Sequence, residues 1–544
     1  MGLPGSDGRL YPENGSPGAG RGGVGLRCSP AAAARRRPCR PRPFFASEAE
    51  LPGRAPLSFE QSAPGADEVA VVAWPLVFRQ RLARRVEGSE RFRWWVLWTV
   101  LAGLFSVGFS ITVLSVSLPR IAGDLHSNVS TLTWALTGPL LAFGVVGPAF
   151  GKAGDIWGQK RVYLLGLAGA GVFAGLTALS WNASSLILFR VLSVAEGAAT
   201  GPASMALIMR AFPAEDRVKA LGYWSLVNAG APVLGVVAGG PIVEHFSWRW
   251  IFAAQVPFTV LAIVLAIVIL PRAEPGGKQP LDVAGAAALS AAATSFLFAL
   301  NRGPVWGWSS PGVLVGFALV PVTALLFVRV ERQTSHPLIP LDWLRRRNFA
   351  FPIAAQFFSN FAYMGSFILT PLFLKQAFHY GETHIGLVTI ARPLAFALSA
   401  PVAGYVATRV GERSAAVTGA LAVVASMIAL SRLTPASSDL AVMGALALAG
   451  IGLGVSSPPL AASVANAVEE TSLGIAGAAQ QLIIQVGVVA GIQIGQTVQA
   501  SRLHAVGLVH SFGQAYLLAG GVALVGVGFA AFVRSAPRSP ALAA

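Results

Sequence analysis

From residue 94 onward the sequence repeats one pattern, an apolar stretch followed by a short loop that contains Pro, Gly or Arg. A bilayer core is ~30 Å thick, so a helix needs about 20 mostly apolar residues to cross it. The repetition therefore predicts an all-α membrane protein with fourteen transmembrane helices. The predicted helices cover 94–117, 131–150, 161–180, 184–210, 217–240, 250–270, 283–301, 311–330, 350–374, 384–406, 414–431, 438–460, 473–498 and 513–534.

Composition supports a lipid environment. Hydrophobic residues make up 54% of the chain and charged residues only 12%, whereas ordinary globular domains carry ~25% charged residues. A soluble protein with so few charges could not cover its surface. The net charge of +16 is assigned to cytoplasmic loops. No basic face or aromatic platform accompanies that charge, so nucleic acid is not expected as a partner.

The first 90 residues differ from the rest. They are rich in Pro, Gly, Ala and Arg and have little periodic apolar pattern, which predicts a disordered, basic, cytoplasmic tail. Its last part, 78–93, is basic and partly amphipathic and is expected to lie on the anionic inner leaflet. A start-site artefact is the alternative for part of this tail. Both cysteines, Cys28 and Cys39, lie here, so no disulfide is expected in the membrane domain.

Loop charges predict the orientation. The loops on the side of the tail, together with the C-terminal end, hold 17 Lys and Arg, and the opposite loops hold 6. Both termini are therefore predicted in the cytoplasm. Abundant Ala, Gly, Arg and Val suggest a high-GC bacterial source and hence the cell membrane.

Two loops echo each other. Residues 151–161 follow the second apolar stretch and residues 404–413 follow the tenth. If the seventh and eighth stretches are an inserted pair, the other twelve divide into two six-helix halves. The predicted organisation is a six-helix bundle over 91–272, the inserted pair and a cytoplasmic loop over 273–348, and a second bundle with a short tail over 349–544.

The first echo loop has the chemistry of a gate. Gly151 and Gly158 allow two helix ends to approach closely, and Asp155 can cap a neighbouring helix or pair with an arginine. Lys160 and Arg161 complete the loop. Such a polar latch can open and close as two halves rock. The alternative is a tight turn with a solvated charge cluster.

These features resemble the major facilitator superfamily, in its 14-helix drug:proton antiporter branch. The resemblance covers roughly 95–535 and rests on the 151–161 loop and on further motifs. They are Leu118-Pro119, Arg190 with Pro202, Ser247-Trp-Arg-Trp-Ile-Phe252 with Pro257, Trp306-Gly-Trp308 and Pro337-Leu-Ile-Pro-Leu341. The resemblance implies two six-helix bundles around a central site, two additional helices between them, and export of small molecules by proton antiport.

The chain also departs from that branch. Phe109-Ser110-Ile111-Thr112 stands where the branch typically has an aspartate in helix one, which argues against a strong preference for cationic drugs. Thr408 replaces the aspartate of the second echo loop, and Ser193-Val194 replaces the usual Gln-Gly of helix four.

The helix-five antiporter motif is altered as well. Its proline appears at Pro232, about one turn early, before Gly235, Gly239 and Gly240. The helix is expected to kink and pack closely, with a shifted break.

Two ionisable residues on helix four are the candidates for proton coupling, because an ionisable group within a span is costly and marks function by default. Arg190 matches the basic residue that the resemblance implicates in proton relay. Glu196 is predicted to be a substitute proton carrier, with a structural role towards a neighbouring helix as the alternative.

The candidates for the substrate cavity lie on helices nine, ten and thirteen. Arg392 could hold an anionic substrate, pair with Glu196, or snorkel from the end of its helix. Buried amides serve either as interhelical contacts or as cavity lining. The amides are Gln356, Asn360, Gln480, Gln481 and Gln485.

No motif for an enzyme was found. The sequence has no Cys-x-x-Cys, no His-x-x-x-His and no phosphate-binding Gly-x-x-x-x-Gly-Lys-Ser/Thr loop, so we expect no catalytic residues, metal or cofactor. The predicted partners are a small-molecule substrate, protons and the bilayer, with the protein as a monomer. The alternatives are transport of one neutral, anionic or lipid-like metabolite in either direction, or a membrane sensor or scaffold that transports nothing.

Overall fold

The computed structural model describes residues 91–127, 129–132, 134–271 and 282–534, so the tail predicted for 1–90 lies outside the described residues. The described part contains fourteen long helical segments, α1 to α14, and no β-strand. Each overlaps one of the predicted stretches. The bounds are α1 Phe92–Asp124, α2 Trp134–Trp157, α3 Gln159–Ala178, α4 Ala183–Gly197 with Thr200–Ala211, α5 Arg217–His245, α6 Arg249–Ile269, α7 Val283–Trp306, α8 Pro311–Gln333, α9 Arg347–Ala377, α10 Glu382–Thr389 with Ala391–Val410, α11 Glu412–Ser431, α12 Asp439–Asn466, α13 Leu473–Val506 and α14 Leu508–Ala531.

Twelve of these helices are long and apolar enough, over their described residues, to cross a membrane. They are all of the segments except α2 and α5. Those two have 24 and 29 residues, and their crossing stays a prediction. Several helices continue beyond the apolar stretch that predicts them, because the backbone hydrogen bonds of a helix do not stop where the side chains become polar.

Prolines explain the two broken helices. Pro202 has no amide hydrogen for the carbonyl of Ala198, and α4 is interrupted between Gly197 and Thr200. Pro393 likewise leaves the carbonyl of Thr389 without its helical donor, and α10 is divided at that point. A proline removes the hydrogen bond to the residue four positions earlier. Both breaks lie next to residues predicted to be functional.

The long helices form two groups of six. In the first half, α1 packs against α5 and α6, α3 packs against α4 and α6, and α2 packs against α4. In the second half, α12 packs against α10 and α11, while α9 packs against α13 and α14. The halves meet along two seams, α2 with α13 and α5 with α10. This arrangement confirms the predicted all-α membrane fold of two six-helix bundles plus two helices.

Of the two inserted helices, α7 lies on one of these seams. Helix α7 packs against α8 and also against α2 and α13. The Arg302 guanidinium carbon of α7 stands 3.8 Å from the ring centroid of Trp134 on α2. At the other end, the Glu331 carboxylate of α8 accepts hydrogen bonds from the Leu338 and Ile339 amides at 3.1 and 3.2 Å. The α8–α9 loop is thereby fixed to the inserted pair.

We call the end of the molecule that carries the α2–α3, α4–α5, α10–α11 and α12–α13 loops the basic end. It is the end predicted to face the cytoplasm. Lys152 of α2 donates to the Pro337 carbonyl at 3.0 Å there, so the α8–α9 loop also contacts the first half. The candidate gate lies at this end.

Candidate functional site

The Asp155 carboxylate joins the two halves. Its Oδ1 accepts from the Gly474 amide at 3.0 Å and its Oδ2 from the Ile475 amide at 2.9 Å. These amides belong to the first turn of α13, where N–H groups have no partner within the helix. The N-cap residue of α13, Ser472, makes no side-chain capping bond. An aspartate from the opposite half therefore caps α13 and lies at the positive end of its dipole.

A close crossing of helices brings Asp155 to this position. A Cβ on Gly151 would lie 2.7 Å from the Gly474 carbonyl oxygen and 2.5 Å from the Ala478 Cβ. A Cβ on Gly474 would lie 2.5 Å from the Gly151 carbonyl oxygen. Real Cβ atoms do not approach other atoms so closely, so any side chain at either glycine would push α2 and α13 apart. Gly158 ends the loop with φ of +97°, a conformation that glycine adopts without strain.

Two side chains of the first half surround the carboxylate. Gln159 donates to Asp155 Oδ1 at 2.7 Å, and Arg210 Nη2 stands 3.6 Å from the same oxygen. Asp155 is 7% exposed, so these contacts are poorly screened by water. Lys160 donates to the Ile267 carbonyl at 3.0 Å and also to the Leu270 carbonyl, which fixes the loop to the end of α6. Arg161 is exposed.

A second polar link lies beside the first. Arg217, the first residue of α5, donates to Asn466 Oδ1 at 2.8 Å and pairs with Glu470 at 3.2 Å. Arg210 donates to the Glu470 carbonyl at 3.2 Å. From the sequence, Arg210 and Arg217 counted only among the 17 basic residues predicted on the cytoplasmic side. Arg210 is the last residue of the predicted stretch 184–210 and Arg217 is the first of 217–240. Their place at the facing ends of two predicted helices was the one signal for such a role.

The other seam is closed by shape. A Cβ on Gly222 of α5 would lie 2.6 Å from the Ala400 carbonyl oxygen of α10. A Cβ on Gly404 of α10 would lie 2.9 Å from the Lys219 Cα of α5. The Tyr223 and Tyr405 hydroxyls are 3.3 Å apart across this seam.

Thr408, which replaces the aspartate of the echo loop, bonds to the Tyr405 carbonyl of its own helix. That bond does not cross the seam. The two echo loops thus occupy corresponding places and make different contacts.

Arg190 is buried inside the first half, with 2% of its surface exposed. Its Nη1 donates to Ser110 Oγ at 3.4 Å and its Nη2 to the Ser110 carbonyl at 3.2 Å. The guanidinium carbon lies 5.2 Å from the Phe252 ring centroid, a cation–π distance. Ser110 occupies the place where the resembling branch has its helix-one aspartate, so Arg190 meets a hydroxyl where that branch has a carboxylate.

Glu196 lies away from Arg190. Its side chain packs on α3, where a Cβ on Gly169 would be 2.7 Å from Glu196 Cγ. The residue is half-buried. The neighbouring Ser193 donates to the Ala170 carbonyl of α3 at 3.1 Å, which shows that this face of α4 is the α3 seam.

Arg392 is buried in the core of the second half, with 1% of its surface exposed. Its Nη1 donates to the Tyr363 carbonyl at 3.1 Å, and its guanidinium carbon lies 5.4 Å from the Tyr363 ring centroid and 6.0 Å from that of Phe367. Its Nε and Nη2 have no hydrogen-bond partner. The structure therefore does not bring Arg392 and Glu196 together, since they lie inside different halves.

The predicted amides divide into two groups. Gln480 of α13 donates to Gln356 of α9 at 2.9 Å, and both are buried, so this pair joins two helices. Asn360 donates to the Gln356 carbonyl of its own helix at 2.8 Å. Gln481 and Gln485 are half-buried.

Helix five carries its altered motif within one continuous helix, Arg217–His245. Gly235 is buried. Pro232, Gly239 and Gly240 belong to the same helix, which is not divided at the proline. The predicted break is therefore not seen as an interruption of α5, unlike the prolines of α4 and α10.

Solved structures share this fold. The human organic anion transporter MFSD10 is 17% identical with a TM-score of 0.56, covering 80% of this chain and 99% of that one. The proton:xylose symporter XylE is 15% identical with a TM-score of 0.57, covering 82% and 96%. At these identities the likeness concerns the fold alone.

Similar sequences carry names of export and resistance. The tetracenomycin C resistance and export protein of Streptomyces glaucescens is 30% identical over 418 residues, which cover 75% of this chain and 76% of that protein. The multidrug transporter protein MdtP of Bacillus subtilis is 25% identical, covering 76% and 77%. The family model described as Major Facilitator Superfamily matches residues 100–339 and 353–544. The chain belongs to the Major Facilitator Superfamily.

Proposed function

We propose that this protein is a secondary transporter that exports hydrophobic or amphiphilic small molecules by proton antiport. It acts as a monomer in the cell membrane, with the basic end and both termini in the cytoplasm. Relatives of similar length that are named for drug resistance and export support this proposal. In alternating access, the two halves rock about a central site and expose it to one side at a time.

The capping of α13 by Asp155 is the observation that carries the proposal. The helices of each half pack mainly against one another. Across the α2–α13 seam, the Asp155 carboxylate accepts two hydrogen bonds from the N-terminus of α13. Loss of a cap changes stability by about 0.5–2 kcal/mol, a free energy that a transport cycle can supply and recover. A contact of this size suits a gate that opens repeatedly.

Glu196 is the proton carrier in this proposal. It is the one acidic residue more than two positions inside any of the fourteen predicted spans. Ionised groups are costly at that depth, so protonation and release there can be linked to movement of the halves. Arg190 contributes a fixed positive charge in the same half.

Flux driven by a proton gradient tests the proposal. Purified protein in liposomes is exposed to an imposed pH gradient, with ethidium as a cationic probe, Nile red as a neutral probe and carboxyfluorescein as an anionic probe. We expect the gradient to accelerate movement of at least one probe, and Glu196→Gln to abolish that acceleration. Glu215→Gln, at an exposed loop glutamate, is the matched control.

Two results would contradict the proposal. The first is the absence of gradient-driven flux for all three probes, which is the behaviour of a sensor or scaffold. The second, against Glu196 alone, is full-rate transport by Glu196→Gln with unchanged pH dependence.

A second candidate function is transport of one neutral or anionic metabolite. It is favoured by the two buried arginines, since no described carboxylate pairs with Arg190 or Arg392. A positive interior opposes a cationic substrate. Flux of carboxyfluorescein without flux of ethidium supports this candidate over multidrug export.

A further inference from the structure

A groove of about 530 Å³ lies on the outer surface of the second half, where the start of α9 meets the end of α14. It lies at the basic end and outside the contacts that join the halves. Six residues line it. They are Arg347, Phe351, Val525, Gly528, Phe529 and Phe532.

One exposed cation stands at the mouth of the groove. The Arg347 guanidinium carbon lies 5.7 Å from the Phe351 ring centroid and 5.9 Å from that of Phe532. Contacts with two rings hold the guanidinium over the apolar groove. Within the described ranges, no carboxylate forms an ion pair with Arg347. Its charge is available to a ligand.

A second cation is held nearby by a double hydrogen bond. Asn348 donates to the Arg534 carbonyl at 2.8 Å and accepts from the Arg534 amide at 2.9 Å. This clamp fixes the end of α14 beside the start of α9. Arg534 is exposed, so a second cationic residue stands next to the start of α9, beside the groove.

The body of the groove is aromatic and open. Phe351 and Phe529 have ring centroids 5.9 Å apart, and Phe358 stacks on Phe529 at 5.6 Å. A Cβ on Gly528 would meet no atom within 4 Å, so the floor has free space at that point. Phe532 is 57% exposed, as expected of a side chain that faces lipid.

We propose that this groove binds an anionic phospholipid of the leaflet at the basic end. The phosphate lies between Arg347 and Arg534, and one acyl chain lies over Phe351 and Phe529 along the space at Gly528. The arrangement fits such a lipid because the cations would meet the phosphate at the membrane surface, and the apolar groove would meet the acyl chain towards the bilayer interior. The inner leaflet supplies anionic lipid and attracts basic residues next to the membrane.

Lipid binding to the purified full chain tests the proposal. Native mass spectrometry and the thermal unfolding midpoint are measured with phosphatidylglycerol, phosphatidylcholine and inorganic phosphate. We expect phosphatidylglycerol to bind and to raise the midpoint, and the other two probes to have little effect. Arg347→Gln is expected to weaken phosphatidylglycerol binding about tenfold or more, because a charged hydrogen bond is lost.

Two further variants separate the parts of the site. Gly528→Leu fills the open space, so it is expected to weaken lipid binding although both cations remain. Arg345→Gln removes an exposed charge that does not line the groove, and it should leave binding unchanged. The unfolding midpoint of each variant without lipid shows whether it is folded.

Three outcomes overturn the proposal. Equal binding of phosphatidylcholine would show that charge does not matter, and equal stabilisation by inorganic phosphate would show an anion site that is not a lipid site. Unchanged phosphatidylglycerol binding in both folded Arg347→Gln and folded Gly528→Leu would place the lipid elsewhere.

Discussion

The two seams between the halves are closed in different ways. On the α2–α13 seam, Asp155 caps α13 with two hydrogen bonds across the interface. On the α5–α10 seam, Gly222 and Gly404 let the backbones touch, and Thr408 bonds within its own helix. Charged contacts, with the Asp155 cap and the Arg217–Glu470 pair among them, therefore hold one side of the gate. Close packing holds the other.

Opening of the basic end can be followed at Met205 on α4. This residue is 2% exposed, and its Sδ lies 3.2 Å from the place of a Cβ on Gly477 of α13. After Cys28→Ser and Cys39→Ser, the rate at which N-ethylmaleimide labels Met205→Cys in nanodiscs reports separation of the halves. The labelling rate of Met205→Cys then measures how a further substitution at either seam changes the closure of the basic end.

The largest change in the labelling rate of Met205→Cys is expected from Gly222→Leu. Its Cβ alone would clash with the Ala400 carbonyl oxygen at 2.6 Å, and overpacking costs about 1–3 kcal/mol. Labelling of Met205→Cys should rise by up to roughly a hundredfold. Gly123→Leu is the control, because a Cβ there would meet nothing within 4 Å. An unchanged rate would show that this seam tolerates bulk and does not close by shape.

Asp155→Asn is expected to raise the labelling rate of Met205→Cys by a smaller factor. The amide keeps the size of the side chain but loses the charge at the α13 N-terminus and one of the two acceptor oxygens. A loss of about 1–2 kcal/mol corresponds to labelling that is roughly 5–30 times faster. Asp342→Asn, at an exposed aspartate, should label as the parent does. Equal rates for the two variants would show that the cap does not hold the seam.

The smallest effect is expected from Tyr405→Phe, which removes one member of the 3.3 Å hydroxyl pair. The pair is exposed, so water replaces the lost contact. The labelling rate should change less than about twofold. A tenfold change would show that the second seam also depends on a polar contact, which removes the difference between the seams.

Much of the fold could be predicted from the sequence because apolar length is a local property. The stretch that predicts α6, 250–270, nearly coincides with the helix Arg249–Ile269. The partner of Asp155 could not be predicted in this way. Gly474 is 319 residues further along the chain, and nothing local indicates which helix N-terminus the carboxylate will meet.

The sequence also could not predict which neighbouring helix the Glu196 side chain packs against. Most residues around Glu196 on α4 are small or apolar, so periodicity does not distinguish the α3 seam from the centre of the molecule. The contact between Arg190 and Ser110 was not predicted either, because the two residues lie 80 positions apart in the sequence. The roles of both residues in proton coupling stay predictions.

The gate can be tested most directly by a distance across the basic end. Cys28→Ser and Cys39→Ser first remove the native thiols. Spin labels are then attached at Arg161→Cys and Ser414→Cys, two exposed positions in different halves. Pulsed electron paramagnetic resonance measures the distance between the two labels in lipid nanodiscs. We expect one short distance in the parent chain and an additional longer distance when Asp155→Asn is present. The same single distance in both proteins would contradict this expectation.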